Sequence, residues 1–339
     1  MTPTILSTAV VGAGAVGSFF GAMLARAGQR VTLVGRLPHV QAIERDGLQL
    51  HMAGRVESVR MAATTDLDAV RGADLVLFCV KSTDTDAVAS QIAPLLDANA
   101  LVLSLQNGVD NAEVMARHIR QTVVPAVVYV ATAMPQAGVV QHFGRGDLVI
   151  GPRHKADASS AAYQQRLQAA ADLFTGAGAP VRISVDVMAE LWSKLMVNCA
   201  YNAISGLSQL PYGRMAELPS IRAVQHAVVR EVLAVAQAAG QELPLAAALA
   251  AMERIASAMP AQLSSTAQDM ARGKPSEIDH LNGYVARRGA ELGIATPVNH
   301  TLHALVKLVE SGSLGKGTRG LRALNPTSPE DAAHNLTDA

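Results

Sequence analysis

The chain is short of cysteine, of net charge and of long apolar runs. Its 339 residues hold two cysteines, Cys79 and Cys199, and neither has the C-x-x-C spacing or the histidine neighbours that redox or zinc chemistry needs. A reducing, cytoplasmic setting is therefore expected. Lysine and arginine total 28 against 28 for aspartate and glutamate, a formal net charge of zero, so the composition lacks the electrostatic footprint that nucleic acid or an anionic membrane requires. Any anion has to be bound locally. No segment reaches the roughly 18 uninterrupted apolar residues of a membrane span. No basic stretch precedes the apolar N-terminus, so it does not read as a secretory signal. What is present, 50% hydrophobic and 17% charged residues, is the composition of a globular protein, and the length makes two domains the default.

Local anion binding has an evident location. Residues 10–18 read Val-Val-Gly-Ala-Gly-Ala-Val-Gly-Ser, and Gly12, Gly14 and Gly17 have the G-x-G-x-x-G spacing that seats a pyrophosphate on a helix N-terminus. Gly12 permits the tight turn out of a strand, Gly14 lets the backbone approach the phosphates, and Gly17 lets the helix pack closely on the sheet. The backbone of Ala15 and Val16 belongs to the same cradle. The setting is a βαβ unit: a strand ending at residues 8–11, a helix over 17–27 stopped by Gly28, and a strand Val31–Val34. An NAD-binding unit usually ends this second strand with an acidic residue for the ribose hydroxyls. Here Gly35-Arg36 follows instead, and a guanidinium suits a 2′-phosphate, so NADP(H) is expected over NAD(H). A solvated surface arginine is the plainer reading of Arg36. Lys81, after the apolar run 73–80, lies at the carboxyl end of a buried strand, the edge where ligands bind in open parallel sheets.

Strands and helices alternate up to about residue 185. Further strands are expected at Leu75–Val80, Ala100–Leu105 and Ala126–Ala131. A hairpin is expected of Val139–Phe143 and Asp147–Ile150 around Gly144-Arg145-Gly146. A helix near 158–175 and a last strand Val181–Val185 complete the series. Beyond Asp186 the period is helical: 187–206, 220–240, 245–258, 276–292 and 297–310. The expected fold is thus α/β: a Rossmann-type doubly wound parallel sheet in residues 1–185, whose pattern also admits an antiparallel edge, and an all-α domain in 186–311. Residues 312–339 read as a mobile tail.

Two stretches of the helical half spend polar residues where packing favours apolar ones. Lys194, Asn198 and Asn202 recur at i, i+4 and i+8, so they share one helical stripe. An ammonium and two amides in line can hold a carboxylate and a carbonyl while Lys194 delivers a proton to the developing alkoxide. A polar solvent-facing stripe is the alternative, although asparagine is a poor helix former for that purpose. The second stretch runs from Ser264 to Gly283. Pro275-Ser276 reads as a helix start that places Glu277 in a first turn, with Ser265 on the preceding loop or helix. By itself, Glu277 is more readily a capping carboxylate than a catalytic one.

Taken together and in order, these features resemble the ketopantoate reductase (2-dehydropantoate 2-reductase) family over about residues 8–300. They are the glycine loop followed by Arg36, Lys81, Gln106-Asn107-Gly108, the Trp-x-Lys-x-x-x-Asn-x-x-x-Asn helix, and Ser-Ser-x-x-Gln-Asp with Gly-x-Pro-x-Glu-Ile-Asp and Asn-Gly. The resemblance implies NADPH-dependent reduction of 2-dehydropantoate to pantoate, on the way to pantothenate and coenzyme A. It implies that Lys194 is the general acid with Glu277 hydrogen-bonding near it, and that Asn107 positions substrate and nicotinamide. It further implies that Asn198, Asn202 and Ser265 hold the substrate and that Arg36 and Lys81 grip the 2′-phosphate. The expected partners are a small keto acid and at most a second copy of the chain. The tail at 312–339 makes the chain somewhat longer than the family pattern, Gln262 stands where a polar substrate contact varies between members, and members need not share one keto acid.

Other readings remain open at this point. A β-hydroxyacid or 6-phosphogluconate-type dehydrogenase also pairs such a domain with helices and a catalytic lysine, but leans on a glycine-rich substrate loop where this chain has Ser104-Leu105-Gln106-Asn107-Gly108. A non-enzymatic NADPH-binding regulator has no need of Lys194, Asn107 and Glu277 together. His300 and His303 lack a cysteine or carboxylate in register, so no metal is expected.

Overall fold

The computed structural model describes residues 6–314. The first βαβ unit consists of β1 (Ser7–Val11), α1 (Ala15–Arg26) and β2 (Arg30–Val34), with β1 and β2 parallel. It is followed by α2 (Leu37–Asp46), β3 (Leu48–Met52), β4 (Arg55–Val59), β5 (Ala62–Thr64), β6 (Leu75–Phe78), α3 (Thr85–Ile92), β7 (Leu101–Ser104) and α4 (Asn111–Ala116). Two long strands, β8 (Thr122–Gln136) and β9 (Val139–Ile150), then α5 (Ala161–Gly176) and β10 (Val181–Ile183), complete the sheet half. The strand order is β4-β3-β9-β8-β7-β6-β1-β2-β5, with β10 beside β9. Pairing is parallel from β8 through β5, and antiparallel at β8–β9 and β3–β4.

The central strands are buried on both faces, as parallel strands between helix layers must be. Side chains alternate between the layers: Val10, Leu33, Leu75 and Leu77 enter one core, while Ala9, Val11, Val76 and Phe78 enter the other. From Val187 onward the described chain is helical: α6 (Val187–Ser208), α7 (Tyr212–Ala216), α8 (Pro219–Ala238), α9 (Leu245–Ala258), α10 (Ser265–Ala271), α11 (Asn282–Leu292) and α12 (Pro297–Leu314). Their core gathers around α6, with Trp192, Leu195, Met196 and Tyr201 against Val228, Val232 and Met252. Among the described residues no helix is long and apolar enough to cross a membrane.

Three local expectations are corrected. The segment 139–150 is one strand, not a hairpin; its partner is β8 and the turn lies at 137–138. Gly144-Arg145-Gly146 is instead the site of β-bulges, because the register skips a residue on either side of the Val130–Arg145 and Ala131–Gly144 pairs, and Arg145 takes φ 56 beside glycines at φ 150 and 145. The helix expected from 276 begins at Asn282. Leu281 (φ −113, ψ −106) breaks the helical path, so Glu277 caps a single 3₁₀ turn, Ile278–His280. Third, α12 continues to Leu314, three residues into the expected tail; the remainder, 315–339, lies outside the described residues.

Candidate active site

The glycine turn sits at the carboxyl end of β1, between β2 and β6. Gly12 is in the left-handed region, and a Cβ there would stand 2.7 Å from the Cys79 carbonyl and 2.8 Å from the Val80 nitrogen. At Gly17 a Cβ would run into the Gly12 carbonyl oxygen, and at Gly35 into Ala13. Gly14 is different: a Cβ would meet nothing within 4 Å, so its surroundings are open to a ligand. Gly14 caps α1 without a side-chain acceptor, which leaves the first N–H groups of the helix, those of Ala15, Val16 and Gly17, without intrahelical partners at the positive end of the helix dipole. This donor set fits the pyrophosphate of a dinucleotide.

Arg36 follows β2 in an extended conformation and caps α2. It is exposed and forms no ion pair among the described residues. Burial, together with the positive charges of Arg36 and Lys274, pushes the pKa of His39 down, which shows that the helical half also brings a cation to this corner. Lys81 does not stand free beside Arg36. Its Nζ donates to Asp269 Oδ2 at 3.0 Å and to the Pro275 carbonyl at 2.7 Å, and so ties the end of β6 to the helical half.

The loop after β7 is held by a buried polar network. Gln106 Nε2 donates to the Val80 carbonyl and to Thr85 Oγ1, Thr85 Oγ1 donates to Asn111 Oδ1, and Asn111 Nδ2 donates to the Asn107 carbonyl at 2.6 Å and to Ser82 Oγ. Ser82 Oγ also donates to the Asn107 carbonyl. Because the backbone of Asn107 is fixed in this way while its side-chain amide takes no partner among the described residues, that amide is available to a ligand. The neighbouring Ser82 N–H donates to Glu277 Oε1 at 2.9 Å across the two halves.

Lys194 lies on α6, whose start is capped by Asp186. Its Nζ donates to the Val128 carbonyl on β8 at 2.6 Å and lies 5.9 Å from the centre of the Tyr129 ring, on which the Arg145 guanidinium also stacks at 4.2 Å. Burial lowers the pKa of Lys194 to about 8; Glu277 opposes this and Arg145 adds to it. One and two turns further on, Asn198 has no hydrogen-bond partner among the described residues for its amide, while Asn202 is 3% exposed and donates to Ser265 Oγ at 3.3 Å. Ser265 is the exposed first residue of α10, whose N-cap Ser264 accepts from the Ala267 N–H. Gln262 donates to the Leu263 carbonyl.

The structure thus joins Asn202 to Ser265, and Glu277 to the loops of Lys81 and Asn107, and it brings the charges of Glu277 and Lys194 within mutual influence. It does not bring Lys81 to Arg36 through any shared contact. Ser82, Thr85, Asn111, Tyr129, Arg145 and the role of Asp269 escape sequence reasoning. Each is an ordinary polar residue in its own segment and gains meaning only through a partner distant in the chain.

A parallel sheet with a glycine-lined phosphate cradle at its carboxyl edge, faced by a helix carrying a partly buried lysine, defines a nicotinamide-dependent oxidoreductase with a helical second half. The chain belongs to the ketopantoate reductase PanE/ApbA family. Residues 8–155 match the family's first model and residues 186–310 its C-terminal model. A 2-dehydropantoate 2-reductase of Halobacterium salinarum is 33% identical over 304 residues, spanning 89% of this chain and 98% of that protein. The crystal structure of a PanE/ApbA family ketopantoate reductase from Ralstonia eutropha JMP134 is 51% identical with a TM-score of 0.83, covering 91% of this chain and 99% of its own. A D-mandelate dehydrogenase solved with NADH and anilino(oxo)acetate shares the fold at 23% identity, with a TM-score of 0.84 over 91% of this chain and 99% of that one.

Proposed function

We propose that the protein reduces the ketone of 2-dehydropantoate to pantoate with NADPH, with residues 1–185 binding the cofactor and residues 186–311 supplying the proton donor and the substrate amides. The bound dinucleotide supplies the hydride. The remaining chemistry belongs to the chain. The amide groups at the start of α1 and the side chain of Arg36 would hold the pyrophosphate and the 2′-phosphate, the latter through charge-assisted bonds that NADH cannot make. Asn198, Asn202 and Ser265 would receive the keto acid, and Asn107 would orient it from the opposite side. As negative charge grows on the former carbonyl oxygen, the Lys194 ammonium delivers its proton there. An amine near 8 is a far better donor at neutral pH than one near 10.5. The observation that carries this reading is the part-buried Lys194, lowered to about 8 with Glu277 as its counter-charge.

The test is spectrophotometric: purified protein with NADPH or NADH and a panel of 2-keto acids. Oxidation of NADPH by 2-dehydropantoate, with NADH used much less well, is the expected result. If another keto acid leads by orders of magnitude in kcat/KM, the substrate assignment fails and the reductase class stands. If NADH serves as well as NADPH, the role given to Arg36 fails.

A further inference from the structure

Glu277 is carried by a stretch that regular structure does not hold. Residues 274–276 belong to no helix or strand, their upstream ties being the Lys274 N–H to the Asp269 carbonyl and Lys81 Nζ to the Pro275 carbonyl, and the 3₁₀ turn after them is three residues long. Nevertheless the carboxylate reaches the Ser82 N–H of the other half of the molecule and acts on Lys194. The stretch is anchored from α12. His303, Lys307 and Glu310 recur at i, i+4 and i+7 and therefore share one face of that helix. Immediately before Glu277, the buried Ser276 N–H donates to Glu310 Oε1 at 2.8 Å. Two residues after it, Asp279 Oδ1 pairs with His303 Nε2 at 2.6 Å and Asp279 Oδ2 with Lys307 Nζ at 2.7 Å. Lys307 closes the set on Glu310 Oε2 at 3.4 Å.

The Glu310 carboxylate is 7% exposed, an expensive place for a charge that only a specific set of partners can justify. Gly283 admits the His303 ring, because a Cβ there would stand 2.8 Å from it. Burial pushes the Asp279 carboxyl up, but its bonds to Lys307 and His303 outweigh that and hold it below the usual range; Arg287 donates to the Asp279 carbonyl as well. The clamp is thus charged and holds the Ser276 N–H on one side of Glu277 and the Asp279 carboxylate on the other.

We propose that Asp279, His303, Lys307 and Glu310 are positioning residues: they fix the backbone on either side of Glu277, and so set the distance of its carboxylate from Ser82 and Lys194. The proposal rests on Lys194 being the proton donor. The charged and ring groups that face Lys194 are Glu277, Arg145 and the Tyr129 ring, and among the charges only Glu277 favours the ammonium. Loosening the clamp therefore moves the proton donor toward lower pH.

The experiment compares wild type with Glu310→Ala, Asp279→Asn, Glu310→Gln and Glu277→Gln. The alkaline limb of the kcat/KM profile is expected near pH 8 in the wild type, and it should move down by about half a pH unit or more in Glu310→Ala, Asp279→Asn and Glu277→Gln. Glu310→Gln, which keeps an acceptor for Ser276, should restore it. Neither clamp variant should shift the limb further in a Glu277→Gln background. Hydrogen exchange supplies a readout besides activity: the Ser82 amide should lose protection in Glu310→Ala and Asp279→Asn. Lower unfolding midpoints with an unmoved alkaline limb and an unchanged Ser82 amide overturn the proposal. A wild-type profile without a limb near pH 8 overturns the reading of Lys194 instead, and amide exchange then decides the clamp by itself.

Discussion

Lys194→Met separates the proton-donor role proposed for the lysine from its effect on stability. The ammonium sits at about 8 where a solvated lysine sits at 10.5, chiefly through burial. A displacement of that size corresponds to roughly 3 kcal/mol between the charged and neutral forms. Since the folded-state pKa lies below the unfolded one, the fold penalises the ammonium. That penalty is present in full below pH 8, and it is relieved as the pH rises from 8 toward 10.5. Methionine keeps the length without the charge. Removing the hydrogen bond to the Val128 carbonyl costs about 1 kcal/mol, and partial solvent contact trims the gain further, so about 1–2 kcal/mol of stabilisation is expected near pH 7. The same substitution should lower kcat for keto-acid reduction by about 10²–10⁴-fold, with NADPH binding intact. Urea unfolding near pH 7 and near pH 10, with steady-state kinetics at the lower pH, reads both effects. The variant's stability advantage should shrink or vanish at the higher pH. A variant that retains its turnover, or that is less stable than wild type at both pH values, refutes the reasoning.

Arg36→Ala should raise KM for NADPH by about 10–100-fold and leave KM for NADH nearly unchanged, since charge-assisted bonds of about 1.5–3 kcal/mol are lost for one cofactor alone; paired cofactor titrations check it. Gly12→Ala and Gly14→Ala should fail differently. Gly12→Ala combines φ +113 with a contact of 2.7 Å to backbone, and should lower the unfolding midpoint as well as abolish cofactor binding. Gly14→Ala meets only open space in the chain, and should keep the unfolding midpoint while weakening cofactor binding; isothermal titration with thermal melts distinguishes the pair.

How much of this was legible in the sequence differs by element. β1, β2, β6 and β7 announce themselves as short apolar runs because both of their faces are covered, and the glycine turn is legible because backbone sterics leave few residues able to occupy it. The Lys194-Asn198-Asn202 stripe follows from helical period alone. By contrast β4, with four of its five residues exposed, and β5, three residues long, carry no core-facing pattern strong enough to read. The Gly144-Arg145-Gly146 segment looks like a turn because glycines serve turns and bulges equally well, and only the pairing of β9 with β8 decides between them. Pro275 and Ser276 signal a helix start that places Glu277 in a first turn, but the start is a single tight turn.

The sequence by itself determined the chemistry available at each point: a phosphate cradle, a cation where a ribose-binding carboxylate usually stands, and a lysine in line with two amides. These are local properties, governed by backbone conformation and by the 3.6-residue period over a dozen residues or fewer. The tertiary structure decided how those groups act on one another. Lys81 meets Asp269 across 188 positions and Glu277 meets Ser82 across 195, and the depressed pKa of Lys194 arises from burial that no residue within its own helix produces alone. Electrostatics and desolvation depend on distance in space, and distance in space is fixed only when the sheet and the helices have closed on each other.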